Sequence, residues 1–283
     1  MRLFLLVALT MTAFAANSVL NRAALASGGI DAVSFGTLRL LSGALMLAAL
    51  VLAREGRLQL GGAGRLAGVA GLFLYIYGFS VAYAGMPAGL GALLLFGMVQ
   101  VTMFGGSVAG GERVPAQRWL GAGLAFGGLV WLLWPGGQAA PSLPYALAML
   151  LAGVGWGVYS LAGRKAEVAL VSTAANFVLA TGLGLVVLLG LQLSGSVGPW
   201  SLGAVVLAVV SGAVTSGLGY ALWYTVLPRL PGSVAAVAQL TVPVIAMAGG
   251  MVFLGEALTA RFALAALLVL GGVAVSVVPL RRG

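Results

Sequence analysis

The 283-residue sequence predicts an all-α integral membrane protein of ten transmembrane helices, built as two inverted five-helix repeats. Three observations lead there. Apolar residues make up 61% of the chain and charged residues 7%. The apolar residues form continuous stretches, and the second half of the sequence repeats the first. A soluble domain carries about 25% charged residues, so this composition cannot furnish a water-facing surface. Crossing roughly 30 Å of hydrocarbon takes about 20 apolar residues, and ten such spans leave only short connections.

The apolar stretches fall at 3–22, 32–53, 66–84, 88–109, 118–134, 145–163, 172–192, 201–227, 232–254 and 262–279. Barrel strands would alternate over about ten residues. Unbroken runs of this length satisfy their own backbone hydrogen bonds in lipid as helices. The first run follows Arg2 and contains Ala13-Phe14-Ala15, a pattern shared with secretory signals. It has a counterpart in the second half and is therefore read as helix 1.

Charge then orients the spans. With the N-terminus inside, the basic residues on that side are Arg2, Arg54, Arg57, Arg65, Arg113, Arg118, Arg164, Lys165, Arg229, Arg281 and Arg282, eleven of fourteen. Arg22 and Arg261 fall outside, and Arg39 lies within helix 2. The positive-inside rule puts both termini in the cytoplasm.

The repeat is legible at a fixed offset of 144. It matches Pro87 with Pro231, Gly105-Gly106 with Gly249-Gly250, Gly111-Glu112 with Gly255-Glu256, Gly127-Gly128 with Gly271-Gly272, and Pro135 with Pro279. Helices 4 and 5 thus pair with 9 and 10. At an offset of 142, Phe14, Ser18 and Arg22 match Trp156, Ser160 and Arg164, pairing helix 1 with helix 6. The units are residues 1–140 and 141–283. Five spans per unit is an odd number, so the copies enter the membrane in opposite senses, the construction used for alternating access.

Several function classes drop out. The net charge of +9 is spread singly between apolar runs rather than clustered as nucleic-acid footprints are, so no nucleic-acid partner is expected. There is no Cys and no His, which removes thiolate and imidazole metal sites and the Ser-His dyad; no cofactor or metal is expected. The five acids, Asp31, Glu55, Glu112, Glu167 and Glu256, lie in loops or at helix ends. An intramembrane enzyme would need paired acids, a Ser-His pair or a metal. Gly121-x-Gly123 follows no strand, and Gly123-xxx-Gly127 reads as a helix-packing motif.

The Pro87 and Pro231 helix starts, the two Gly-Glu pairs, the Gly pairs of helices 5 and 10, and Arg39 together resemble the drug/metabolite transporter superfamily in its ten-helix EamA branch. Within it the chain is most similar to bacterial amino-acid exporters, including the aromatic amino-acid exporters. That resemblance implies a bacterial inner-membrane carrier exporting small organic metabolites, aromatic or other apolar amino acids first. It also implies a central cavity lined by helices 1–4 and 6–9, with 5 and 10 at the periphery. Small multidrug-resistance relatives depend on an acid in their first helix, where this chain offers Asn17 and Asn21. Uncoupled or weakly proton-coupled transport is therefore expected. The second half has no arginine where helix 7 matches Arg39, near Phe177. A multidrug or lipophilic-cation exporter, a nucleoside or sugar carrier, and a channel or scaffold are the alternatives.

The candidate substrate-binding residues are the aromatic and amide groups at membrane depth. Tyr75, Phe79 and Tyr83 recur every four residues on one face of helix 3, and Tyr220 and Tyr224 on helix 8. Trp156 with Tyr159 on helix 6 joins them. Asn17, Gln100 and Gln239 would leave unpaired donors against lipid and are expected to face the interior. Arg39 either attracts an anionic group or serves structurally, snorkelling outward or capping neighbouring carbonyls. Glu112 and Glu256 are expected to favour the N-termini of helices 5 and 10, and Pro243 to bend helix 9. Trp119, Trp134 and Trp200 fit an interfacial belt. The partners expected are a small-molecule substrate and membrane lipid, with the fused pseudo-dimer functional as a monomer.

Overall fold

The computed structural model describes residues 2–111, 114–134, 141–163, 166–198, 200–230 and 238–277. Expectations resting on Glu112, Arg113, Pro135, Arg164, Lys165, Pro231, Pro279, Arg281 and Arg282 lie outside these residues. Every regular element among the described residues is helical: α1 Arg2–Ala26, α2 Ala32–Glu55, α3 Arg65–Gly85, α4 Ala88–Ala109, α5 Ala116–Leu133, α6 Leu143–Gly163, α7 Ala169–Leu193, α8 Leu202–Arg229, α9 Thr241–Leu254 and α10 Ala260–Val277. Seven of them, α1–α4 and α6–α8, are long and apolar enough to span a bilayer. Of the other three, α9 and α10 are shorter apolar helices among the described residues, and α5 carries Gln117 and Arg118 in its first turn.

Local chemistry sets the ends. Asp31 caps α2 by accepting from the Val33 and Ser34 backbone N–H groups, a contact worth about 1 kcal/mol. Gly56 ends α2 at φ 68°, a left-handed conformation that glycine adopts without a β-carbon clash. Ser201 caps α8 through Ala204 N. Within α8 the stretch Ser211–Leu218 widens into π-type turns. Helical residues 238–239 and α9 are separated by an interruption at Leu240, three residues before Pro243, whose missing N–H cannot bond the carbonyl at 239.

Backbone contact places the central helices. α3 lies against α6 so closely that a β-carbon on Gly155 would sit 2.6 Å from Tyr75 N and 2.7 Å from Gly71 O. This seam brings Tyr75 and Trp156 onto one wall. α2 packs on α7 and α8, α1 on α8 and α9, α4 on α6 and α9, and α5 on α10. The α5–α10 seam runs through Gly121 and Gly128 rather than through Gly123 and Gly127 as the motif predicted, since those two meet nothing within 4 Å. The outward face is apolar, with Phe4, Leu66, Leu193, Val252 and Phe253 largely exposed. Such a surface suits lipid and not water.

Candidate functional site

A polar thread crosses the middle of the bundle. The widened stretch of α8 faces α1, where Asn17 Oδ1 accepts hydrogen bonds from Ser211 Oγ at 2.8 Å, Thr215 Oγ1 at 2.6 Å and Ser216 Oγ at 3.4 Å. In a regular α-helix Ser216 would be turned about 140° from Ser211, at 100° per residue. The wider turn lets all three hydroxyls reach one oxygen. Asn21 extends the thread, donating from Nδ2 to Ser211 Oγ at 3.3 Å and accepting at Oδ1 from Ser80 Oγ at 3.3 Å.

Arg39 joins the same thread. It neither snorkels nor caps a neighbouring helix end; it is wholly buried. Nε donates to Ser216 Oγ at 3.2 Å and Nη2 to the Tyr75 hydroxyl at 2.9 Å. The guanidinium carbon lies 5.2 Å from the Tyr75 ring centroid and 5.0 Å from that of Phe79. Nη1 has no hydrogen-bond partner. Among the described residues the one ion pair joins Arg22 to Glu256, so Arg39 has no described carboxylate within 4 Å. An unpaired buried charge costs several kcal/mol; two rings and two hydrogen bonds offset part of it. Glycine makes the position accessible, because a β-carbon on Gly212 would collide with the Arg39 carbonyl and Ser42 Oγ.

Beyond the Tyr75 and Phe79 rings lies a cavity of about 20 Å³ lined by Phe14, Asn17 and Ser18 of α1, Tyr75 and Phe79 of α3, Leu95 and Phe96 of α4, Trp156 of α6 and Tyr220 of α8. That volume holds about one water. Trp156 stands at its centre, with ring centroids 4.8 Å from Tyr75, 5.3 Å from Tyr159 and 5.3 Å from Tyr220. Phe14 meets Tyr220 edge-on at 5.5 Å. The Tyr220 hydroxyl is buried without a well-formed hydrogen bond. Phe177, at the position the sequence matches with Arg39, packs 5.8 Å from the Tyr220 ring. Tyr75 thus has a guanidinium at its hydroxyl where Tyr220 has a phenyl ring at its side.

This arrangement is a small chamber walled by the middle stretches of five helices, and residues 143–278 match the EamA-like transporter family. The chain belongs to that family. The uncharacterized protein PA1977 of Pseudomonas aeruginosa is 47% identical over 282 residues, covering 98% of this chain and 95% of that protein. A solved protein crystal structure shares the fold at a TM-score of 0.62 and 22% identity, covering 94% of this chain and 96% of the other. The EamA-like family is one of membrane transporters, and this chain is a multi-pass, membrane-embedded member of it.

The EamA-like chain brings Asn17, Tyr75, Phe79, Trp156 and Tyr220 together around the cavity. Arg39 stands one ring behind its wall. Tyr159 backs Trp156 and donates to Thr173 Oγ1 at 3.0 Å. Tyr224, Gln100 and Gln239 are half-buried and do not line the cavity. Phe14, Ser18, Leu95 and Phe96 were not among the expected site residues. The match of Phe14 and Ser18 with Trp156 and Ser160 was a signal for the first two; the α4 pair carries none, because an apolar side chain facing a cavity reads like one facing lipid.

Both ends of the chamber of this EamA-like protein are tied. Glu256 does not serve its own helix α10 as expected. It reaches Ala88 at the start of α4, and Arg22 beside it donates to the Tyr83 and Ala84 carbonyls at 3.2 and 3.1 Å. At the opposite end Arg65 donates to Ser172 O at 2.7 Å and Asn176 Oδ1 at 2.6 Å, joining α3 to α7. Outside this second tie a pocket of about 420 Å³ opens between the α2–α3 connection and the start of α7.

Proposed function

We propose that this EamA-like chain is a secondary transporter of the bacterial inner membrane, exporting small organic metabolites, amino acids with aromatic or other apolar side chains first, by alternating access. The observation that carries the reading is the central cavity. It lies near the middle of helices from both halves of the sequence, it is walled by rings and an amide, and it is tied shut at both ends. A volume of about 20 Å³ is far too small for an amino acid, so this is an occluded conformation, and loading requires the helices to part.

Further support comes from how the helices pair. If two five-helix units are related by inversion, helix 2 should meet 7, 4 meet 9 and 5 meet 10, and the contacts of 3 with 6 should be mirrored by those of 8 with 1. Each of these pairs is in contact. The inside orientation of both termini rests on the basic residues counted along the sequence. Weak or absent proton coupling rests on the lack of any carboxylate among the cavity residues, since coupled carriers keep an ionisable group at membrane depth.

Purified protein in liposomes preloaded with radiolabelled phenylalanine, tryptophan or leucine tests this. Saturable efflux, accelerated by unlabelled substrate on the far side and indifferent to an imposed pH gradient, is the expected result. Flux that rises linearly with concentration and shows no such exchange would mean a channel, and accumulation driven by a proton gradient would overturn the uncoupled mechanism.

A further inference from the structure

Three polar side chains around the cavity have a hydrogen-bond donor to offer. Asn17 has its oxygen occupied by three hydroxyls, which leaves its amide N–H₂ as the group free for the cavity. The Tyr220 hydroxyl has no well-formed bond. The Tyr75 hydroxyl accepts from Arg39, so its own proton is available, and a donor at its oxygen strengthens it as a donor in turn. Behind Tyr75 stands the full positive charge of Arg39, 0% exposed, with its Nη1 amino group unused and no described carboxylate beside it. No carboxylate faces this set from the cavity wall, whose other polar side chain is the Ser18 hydroxyl.

We infer that the cavity is an anion site: Tyr75, Tyr220 and Asn17 donate to the carboxylate of the cargo, and Arg39 acts through Tyr75 as a positioning residue that supplies the counter-charge. The rest of the cargo stacks on Trp156 and Phe79. This deepens the carrier reading above by naming the pole of the substrate that is recognised. An amino group has no acidic partner here, so it is dispensable. Deaminated aryl acids should bind as well as the amino acids, and cations should be excluded by the field of the guanidinium. The chemistry accounts for burying a charge at all, since an empty chamber leaves Arg39 uncompensated and a bound anion completes the pair.

The test is calorimetric titration of the purified protein with three probes of one shape: 3-phenylpropanoate, L-phenylalanine and L-phenylalaninamide. Both carboxylates are expected to bind and the cationic amide to bind about ten- to hundredfold more weakly, the scale of a lost hydrogen bond to a charged group. Y220F should weaken the carboxylates alone, and it is mild enough to fold. R39Q should erase the preference for carboxylate over amide, with R39K restoring part of it, a ratio that a purely structural role for Arg39 would leave alone. Equal binding of acid and amide, preferential binding of the lipophilic cation tetraphenylphosphonium, or no binding of either carboxylate at millimolar concentration would each overturn the inference. Liposome flux separates the two claims. Saturable flux without carboxylate preference removes the anion site and leaves the carrier, whereas carboxylate binding without flux removes the carrier and leaves the site.

Discussion

Glu256 accepts a 2.8 Å hydrogen bond from the backbone N–H of Ala88, 168 positions earlier in the chain, and holds Arg22 Nε 3.4 Å from its other carboxylate oxygen. One side chain therefore satisfies the first free N–H of α4 and neutralises a cation that itself grips the end of α3. The Glu256 side chain is 10% exposed, so solvent does little to replace what is removed. E256A should lower folding stability by about 2 kcal/mol, and E256Q, which keeps an acceptor for Ala88, by less. Thermal unfolding of the two variants in detergent checks the order; equal losses would mean that the charge pair alone matters.

Asn17 permits a sharper experiment. N17A leaves the Ser211, Thr215 and Ser216 hydroxyls without their acceptor and should cost about 1–3 kcal/mol. N17D keeps the oxygen that they donate to and should fold well. It also places a carboxylate one hydroxyl away from Arg39, through Ser216. A built-in counter-ion competes with the cargo's, so affinity for 3-phenylpropanoate should fall at least about tenfold while the melting temperature holds.

Replacing glycine by alanine inside a helix ordinarily stabilises it by about 1 kcal/mol. G182A and G190A on α7, where a β-carbon meets nothing within 4 Å, should show that gain. G212A should show the reverse, a loss of about 1–3 kcal/mol, because its methyl meets the Arg39 carbonyl and Ser42 Oγ. Chemical denaturation of the three variants side by side decides it.

The chain contains no cysteine, so a single S18C variant reports the cavity directly. With Ser18 2% exposed and the space around it near 20 Å³, a membrane-impermeant maleimide should react slowly in the resting protein. Cycling with cargo should accelerate labelling. Fast labelling without cargo would show the chamber open at rest.

Composition and run length made the helical membrane fold readable, and the boundaries of α2 and α4 came within two residues of Ala32–Glu55 and Ala88–Ala109. What could not be read was facing. In a helix whose lipid side and core side are both apolar, period 3.6 does not point inward, and this is why Gln100 and Gln239 were expected in the site and Leu95 and Phe96 were not. Arg39 stood out as a charge inside an apolar run, yet its partners Ser216 and Tyr75 lie 177 and 36 positions away. The bond of Glu256 to α4 instead of α10 is equally long-range. The Asp31 cap on α2 lies within three residues, the range over which short capping rules operate; the Glu256 contact lies far beyond it.

The wide turn at Ser211–Leu218 works as a phase shift. A helix advances about 100° per residue, so one residue absorbed in a bulge rotates everything after it by a large fraction of a turn. Tyr220 and Trp223 point inward because that residue has been absorbed upstream of them. If the bulge were to tighten into regular helix, Ser216 would swing away from Asn17 and the stretch after it would turn, carrying the Tyr220 hydroxyl with it. What the cavity presents is therefore tied to the register of one helix, set by a single surplus residue.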